Sequence, residues 1–300
     1  MNISTISQKE VIKKLQIKLK RKLLQVYSAS KINKPQRSDS FFTSNFSFQH
    51  SSSFLNIDFP ILINGKVGAD SERADSSYWS PSLLAATARE TGYSLNEFQY
   101  VDGDQGMWSS KRREAGLAKG KSDAQDIWNR MKLNRNKLGQ VTEKLQILTH
   151  SRGTVFGAAY MESLADEVKA LAKKEGINFA YNSDSIIEYS VNLGPHQSNS
   201  LNYPNSSAIN INVSHYKDIL SGNDAKGDVI NIHSDALDDS SDKILEHGNG
   251  TFTGELEGIL KILENSNSSK LNQLIDMYRE IERTTNKNSR IETGSGWWVK

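Results

Sequence analysis

Residues 145–157 read LQILTHSRGTVFG, and this stretch decides the fold class. A short apolar run, Leu145, Ile147 and Leu148, stops at Thr149-His150-Ser151-Arg152-Gly153. Beyond it Phe156, Tyr160, Leu164, Val168 and Leu171 recur three or four residues apart, as on one face of an amphipathic helix. The pattern is strand, sharp turn, helix, with Ser151 at the apex. A turn that tight strains the apical backbone and crowds the positions two before and two after it. Small side chains are wanted there, and Thr149 and Gly153 are small to medium. The turn would lift the Ser151 hydroxyl clear of the sheet. It would also set the Arg152 N–H at a helix N-terminus, facing a developing oxyanion. The competing reading is that Ser151 merely caps the helix, since serine is a favoured N-cap.

Working outward, Phe59-Pro60-Ile61-Leu62-Ile63-Asn64-Gly65 predicts a buried strand running into NGKVGADSERADSSYW, a polar loop with two glycines. Ser80-Pro81 starts a helix that continues to about Glu90, with proline in the first turn. Glu97 to Asp102 is the next strand, followed by a Gly-containing loop and a polar helix over about 122–133. After the helix that follows Ser151, Gly176 is a C-cap, and either Ile177–Tyr181 or Ile187–Leu193 continues the sheet. Ala208–Val213 alternates apolar and polar like a half-buried strand, and Val229–Ile232 is one more short strand. Gly254–Leu263 and Leu271–Ile281 have helical spacing. Strands alternating with helices require a mainly parallel sheet, hence an α/β fold, a three-layer α/β/α sandwich.

The pentapeptide T-H-S-R-G resembles the nucleophile elbow of α/β-hydrolases, usually G-x-S-x-G, with Thr149 standing where the first glycine is usual. The resemblance implies a serine hydrolase with chain order Ser, then Asp or Glu, then His, the last two each following a later strand. The loop at Gly65, Lys66, Val67 and Gly68 would then supply the second oxyanion donor beside Arg152. Chemistry asks for the same partners. A serine hydroxyl needs a base to take its proton, and the base needs an acid to orient it.

The chain has six histidines. His50 precedes the domain, His150 lies inside the turn, His196 comes too early, and His215 sits on the segment that should carry the acid. His247, in a late loop before Gly-Asn-Gly and a helix, is the preferred base, with His233 its rival. Asp218, just past the alternating strand, is the preferred acid, and Asp224, Asp228 and Asp235 are alternatives.

A closer resemblance rests on INGKVGADSERADSSYW, EFQYVDGDQG and LQILTHSRGTVFGAAYMESL. Together they are similar to lipase-like C-terminal domains of Rhs-type polymorphic-toxin proteins of Bacteroidetes. It covers roughly Ile61 to His247, although the first 56 residues show none of the shell repeats of such proteins. It implies hydrolysis of an ester, lipids included, with a phospholipase-type effector domain or a non-catalytic hydrolase-like interaction module as the alternatives and any immunity or partner protein unknown.

Composition sets the bounds. Three hundred residues can bury a full core, expected as residues 57–300 behind an N-terminal segment, 1–56. Residues 1–37 carry about +9 against +2 for the whole chain, leaving about −7 for the rest, so no general nucleic-acid partner follows. Residues 1–27 could form a basic amphipathic helix, with peripheral membrane contact as its functional reading. Residues 28–56 read as a linker. No membrane span or secretory signal is visible, which makes a cytoplasmic location the default expectation.

With no cysteine there is no thiolate site. Neither a P-loop nor a dinucleotide fingerprint is present, and the His- and Asp-containing stretch at 233–247 reads as a solvated loop, so neither cofactor nor metal is expected. Lys111-Arg112-Arg113 reads as solubilising, and the terminal Trp297 and Trp298 are expected to pack back on the domain.

Overall fold

A computed structural model describes residues 59–203, 208–215, 218, 220–221, 224–234 and 247–265. The basic segment 1–27, the linker 28–56, the helix expected at 271–281, Asp235 and the Trp297-Trp298 pair lie outside these residues.

The predicted alternation is realised in chain order as β1 (Phe59–Asn64), α1 (Pro81–Thr91), β2 (Gln99–Asp102) and α2 (Ser109–Met131). Next come β3 (Leu145–His150), α3 (Gly153–Glu175), β4 (Ile187–Leu193) and the two-residue β5 (Asn202–Tyr203). The chain continues through β6 (Ile209–His215), the two-residue β7 (Lys226–Gly227), β8 (Ile230–Ser234) and α4 (Thr253–Asn265). Six strands form one sheet in the order β2-β1-β3-β4-β6-β8, every pair parallel. Of the two candidates after Gly176, Ile187–Leu193 is the strand in this sheet.

This order explains where a site can form. From β1 the chain steps outward to β2, then returns across β1 to β3 and continues the opposite way. Right-handed crossovers taken in opposite directions put their helices on opposite faces. Accordingly α2 packs on α3, and α1 packs on α4. Both faces of β1 and β3 are covered, and all of their residues are buried. The connections leaving β1 and β3 diverge, which opens a crevice at the carboxyl ends of these two strands, the position where open α/β sheets bind ligands.

Two features differ from the sequence-based expectation. The helix predicted over 122–133 begins at Ser109, so Lys111-Arg112-Arg113 lies in its first turns. Lys111 and Arg113 are exposed, whereas Arg112 continues the buried stripe Gly116, Gly120, Ala124, Ile127 and Met131. Arg112 is therefore not a solubilising residue. Its Nη1 donates to the carbonyls of Gly106 and Met107 at 3.1 and 2.8 Å, and its Nη2 donates to Gln197.

β6 is also buried on both sides. Asn210 and Asn212 are 5% and 2% exposed. Asn212 belongs to a polar ladder at one register across four neighbouring strands. Thr149 Oγ1 donates to Asn192 (2.7 Å), Asn192 to Asn212 (2.9 Å), and Asn212 to Asn231 (3.1 Å). Asparagines can enter the interior here because each amide meets a partner on the next strand.

Thr149 fits where a glycine is usual because the space is made elsewhere. Its methyl, Cγ2, would lie only 2.6 Å from a Cβ added at Gly157 on α3. Gly157→Ala is expected to destabilise the fold by about 1–3 kcal/mol through overpacking. Thr149→Ser keeps the hydroxyl and removes that methyl, so adding Gly157→Ala to it is expected to be neutral or slightly stabilising, since alanine favours helix over glycine. Urea unfolding of the two single variants and the double variant measures this coupling.

Candidate active site

The carboxyl ends of the central strands carry the site. Ser151 follows β3 with φ 53, a left-handed backbone that non-glycine residues seldom adopt. Its N–H donates to the Leu193 carbonyl at 2.9 Å, while its own carbonyl accepts from Thr154 and His196 at 3.2 Å. The first helical residue is Gly153, whose added Cβ would lie 2.4 Å from the Asn64 carbonyl oxygen. Only glycine lets α3 start this close to the end of β1.

The helix N-cap is Arg152, which makes no side-chain cap hydrogen bond. The Ser151 hydroxyl meets His247 Nε2 at 2.7 Å instead. Geometry thus separates the two sequence readings of Ser151: its side chain faces the histidine and does not cap the helix.

On the far side of the imidazole, His247 Nδ1 meets Asp218 Oδ2 at 2.6 Å. Asp218 lies in the turn after β6, where its N–H donates to the His215 carbonyl at 3.1 Å. The carboxylate also accepts from the Leu220 N–H at 2.8 Å and from the Ser221 hydroxyl. Burial pushes the Asp218 carboxyl up, but the hydrogen bond and charge of His247, with Ser221 and Leu220, outweigh it and hold the pKa below the usual value. His247 follows β8 and abuts Gly194, where an added Cβ would lie 3.2 Å from the imidazole. Ser151, His247 and Asp218 thus form one hydrogen-bonded line, in the chain order expected of them.

The alternatives sit elsewhere. His233 Nε2 pairs with Asp224 at 2.7 Å, at the exposed end of β8. Asp228 lies in the turn before β8, its N–H on the Tyr203 carbonyl and its carbonyl accepting from Asn210. Asp235 lies outside the described residues.

The candidate oxyanion donors also narrow. Val67 N–H goes to Asp104 at 3.3 Å and Gly68 N–H to Glu72 at 2.7 Å. Carboxylates therefore occupy two of the four amides in the loop. The Tyr78 hydroxyl oxygen lies close to Gly65, 2.9 Å from where a Cβ added there would sit. Among the described residues, the Lys66 and Arg152 N–H groups remain uncommitted. Gly65 itself sits tightly beneath the serine, since an added Cβ would lie 2.7 Å from Ser151 Cβ.

Sequence reasoning missed the role of His150. Its ring is buried between Tyr78, Trp79, Phe252 and His247. Burial, then the nearby His247, pushes its pKa down to about 3, so it is neutral at ordinary pH. His196 is likewise pushed down to about 4 by burial and by Arg112 and Arg152.

Comparison with solved structures finds a likeness to phospholipase PlaB from Legionella pneumophila, in complex with thio-NAD. It has 10% identity and a TM-score of 0.43 over 77% of this chain and 63% of that one. The chain therefore spans less than two thirds of that phospholipase. The RedJ thioesterase from the prodiginine biosynthetic pathway of Streptomyces coelicolor is also similar, with 8% identity and a TM-score of 0.29 over 76% of this chain and 97% of that one. No protein-family model and no curated protein sequence matches the chain. Both structural likenesses are distant, so the chemistry of the site rests on its own side chains.

The depressed histidines set a pH dependence of stability. Below about pH 6.5 the unfolded chain protonates at His150, whereas the folded chain refuses that proton until about pH 3. His150 therefore costs no stability above pH 6.5 and progressively more as pH falls toward 3, by at most about 1.4 kcal/mol per pH unit. His196 adds a loss of the same sign. Urea unfolding between pH 7 and pH 4 is expected to show this slope, and His150→Gln is expected to reduce it by about one proton.

Proposed function

We propose that this chain is a serine hydrolase that cleaves carboxylic esters. The observation that carries this reading is the unbroken line from Ser151 Oγ through His247 to Asp218, at 2.7 and 2.6 Å, with Ser151 on a left-handed turn. Both distances fall within the reach required of an activated nucleophile and its base.

In the reaction, Ser151 Oγ attacks the ester carbonyl as His247 Nε2 takes its proton. Asp218 accepts the Nδ1–H, fixes that tautomer and stabilises the imidazolium that forms. Depression of the Asp218 pKa keeps this carboxylate charged for the task. The carbonyl oxygen becomes an oxyanion facing the Arg152 N–H, at the start of a 23-residue helix, and the Lys66 N–H. Each such donor contributes on the order of 3 kcal/mol to the transition state. His247 then returns the proton to the leaving alkoxide, and an acyl group remains on Ser151. Water, deprotonated by the same imidazole, attacks that acyl group and frees the serine.

Lipid esters belong to this substrate class. The resemblance to lipase-like domains of Rhs-type proteins favours them, as it favours a phospholipase-type effector role. Among the described residues, no helix is long and apolar enough to cross a membrane.

Hydrolysis of p-nitrophenyl acetate by the purified full chain tests the proposal. Ser151→Ala is expected to lower kcat by at least about 10³-fold. Asp218→Asn, which leaves the imidazole in the wrong tautomer, is expected to lower it by up to about 10⁴-fold. Both variants should retain the wild-type circular dichroism spectrum. Undiminished turnover by Ser151→Ala contradicts the reading.

A further inference from the structure

His150 immediately precedes Ser151, yet it takes no part in the line from Ser151 to Asp218. Its imidazole is 5% exposed, with its ring centroid 5.2 Å from that of His247. Both ring nitrogens are engaged: Nε2 with the backbone carbonyl of His247 at 2.7 Å, and Nδ1 with the Tyr78 hydroxyl at 2.5 Å. A carbonyl only accepts, so Nε2 carries the ring proton. Nδ1 is then bare in the neutral ring and accepts the Tyr78 O–H.

The donors therefore run in one direction, from Tyr78 O–H to His150 and from His150 Nε2–H to the carbonyl of His247. The phenol oxygen also lies against the start of the oxyanion loop, where a Cβ added at Gly65 would sit 2.9 Å from it. One end of this chain is the Tyr78 phenol packed against Gly65, the residue before Lys66, whose amide would face the oxyanion. The other end is the backbone of the base itself.

Resting on the hydrolytic reading of Ser151, Asp218 and His247, we propose that Tyr78 and His150 are positioning residues. They form a neutral bridge that holds the oxyanion loop and His247 at a fixed spacing on either side of Ser151.

The need for such a bridge follows from where the base originates. Ser151 and Asp218 lie at or within three residues of strand ends, but His247 stands on a loop outside the sheet. The turn after it is tied down by Asn249, whose Nδ2 donates to the Tyr78 carbonyl at 2.8 Å and whose Oδ1 accepts from the Ser80 N–H at 2.7 Å. Asn249 thus fixes the following turn, and His150 alone among these groups grips the His247 peptide itself. Both clamps converge on residues 78–80, so the segment that carries Tyr78 is the common anchor of loop and base. Two rigid bonds through a planar ring also transmit position better than a flexible side chain would. Misplacing a catalytic group by about 1 Å costs on the order of 100-fold in rate.

Three variants of the full chain test this. His150→Phe keeps the bulk of the ring and removes both nitrogens, Tyr78→Phe removes only the hydroxyl, and His150→Gln restores an N–H able to reach the His247 carbonyl. On p-nitrophenyl acetate, with rates referred to folded protein, His150→Phe and Tyr78→Phe are expected to lower kcat by about 10- to 100-fold with little change in KM. His150→Gln is expected to recover most of the His150→Phe loss. Proton NMR should also show the His247 Nδ1–H resonance displaced in His150→Phe and Tyr78→Phe.

Wild-type kcat in Tyr78→Phe overturns the proposal, and so does a His150→Gln no faster than His150→Phe. If His150→Phe does not fold, Tyr78→Phe decides alone. Failure of the underlying reading is seen separately, as Ser151→Ala hydrolysing the ester as fast as wild type.

Discussion

Everything at the carboxyl ends of the sheet depends on one backbone constraint, the left-handed conformation of Ser151. A non-glycine residue at φ 53 costs about 1–3 kcal/mol and persists only where its surroundings over-determine it. Here three hydrogen bonds do so, tying the Ser151 peptide groups to Leu193 at the end of β4, to His196 just beyond it and to Thr154 in the first turn of α3. Glycine at 153 lets that helix start against the end of β1. The strain lifts the hydroxyl out of the sheet and leaves the Arg152 N–H free at the helix start. A relaxed backbone here would point the side chain elsewhere and would separate serine from histidine.

The sheet order supplies the second condition. Because the chain reverses its direction of travel between β1 and β3, the start of the loop from Gly65 to Gly68 lies against the turn at Ser151, at the edge of the resulting crevice. Asp218 and His247 reach the same crevice from the later strands β6 and β8. Beneath it the ladder Thr149–Asn192–Asn212–Asn231 ties the central strands at a single register. A one-residue slip would break every rung and carry Ser151 and Asp218 out of line.

Much of this was legible in the sequence, for identifiable reasons. The change from strand to helix at residues 145–157 is local, so periodicity exposes it. The choice of Asp218 and His247 joined the chain order that the resemblance implies to the places where turns fall between strands. What escaped depends on contacts across long separations. The buried stripe that begins at Arg112 shows a four-residue period, but a charged residue at its head and two glycines within it read as loop until α3 packs against them. Asn210 and Asn212 looked half exposed because an asparagine is buried only when its partner on the next strand is known. His150 looked idle because its partners, Tyr78 and the carbonyl of His247, lie 72 and 97 residues away.

The central claim is that Ser151 is the nucleophile, and covalent labelling tests it most directly. A fluorophosphonate probe, applied to the purified full chain and followed by peptide mapping, is predicted to add one phosphonyl group on the peptide containing Leu145–Gly157, at Ser151. Prior denaturation or Asp218→Asn should sharply reduce the labelling. Labelling at another serine, or equal labelling of wild type and Ser151→Ala, would contradict the account.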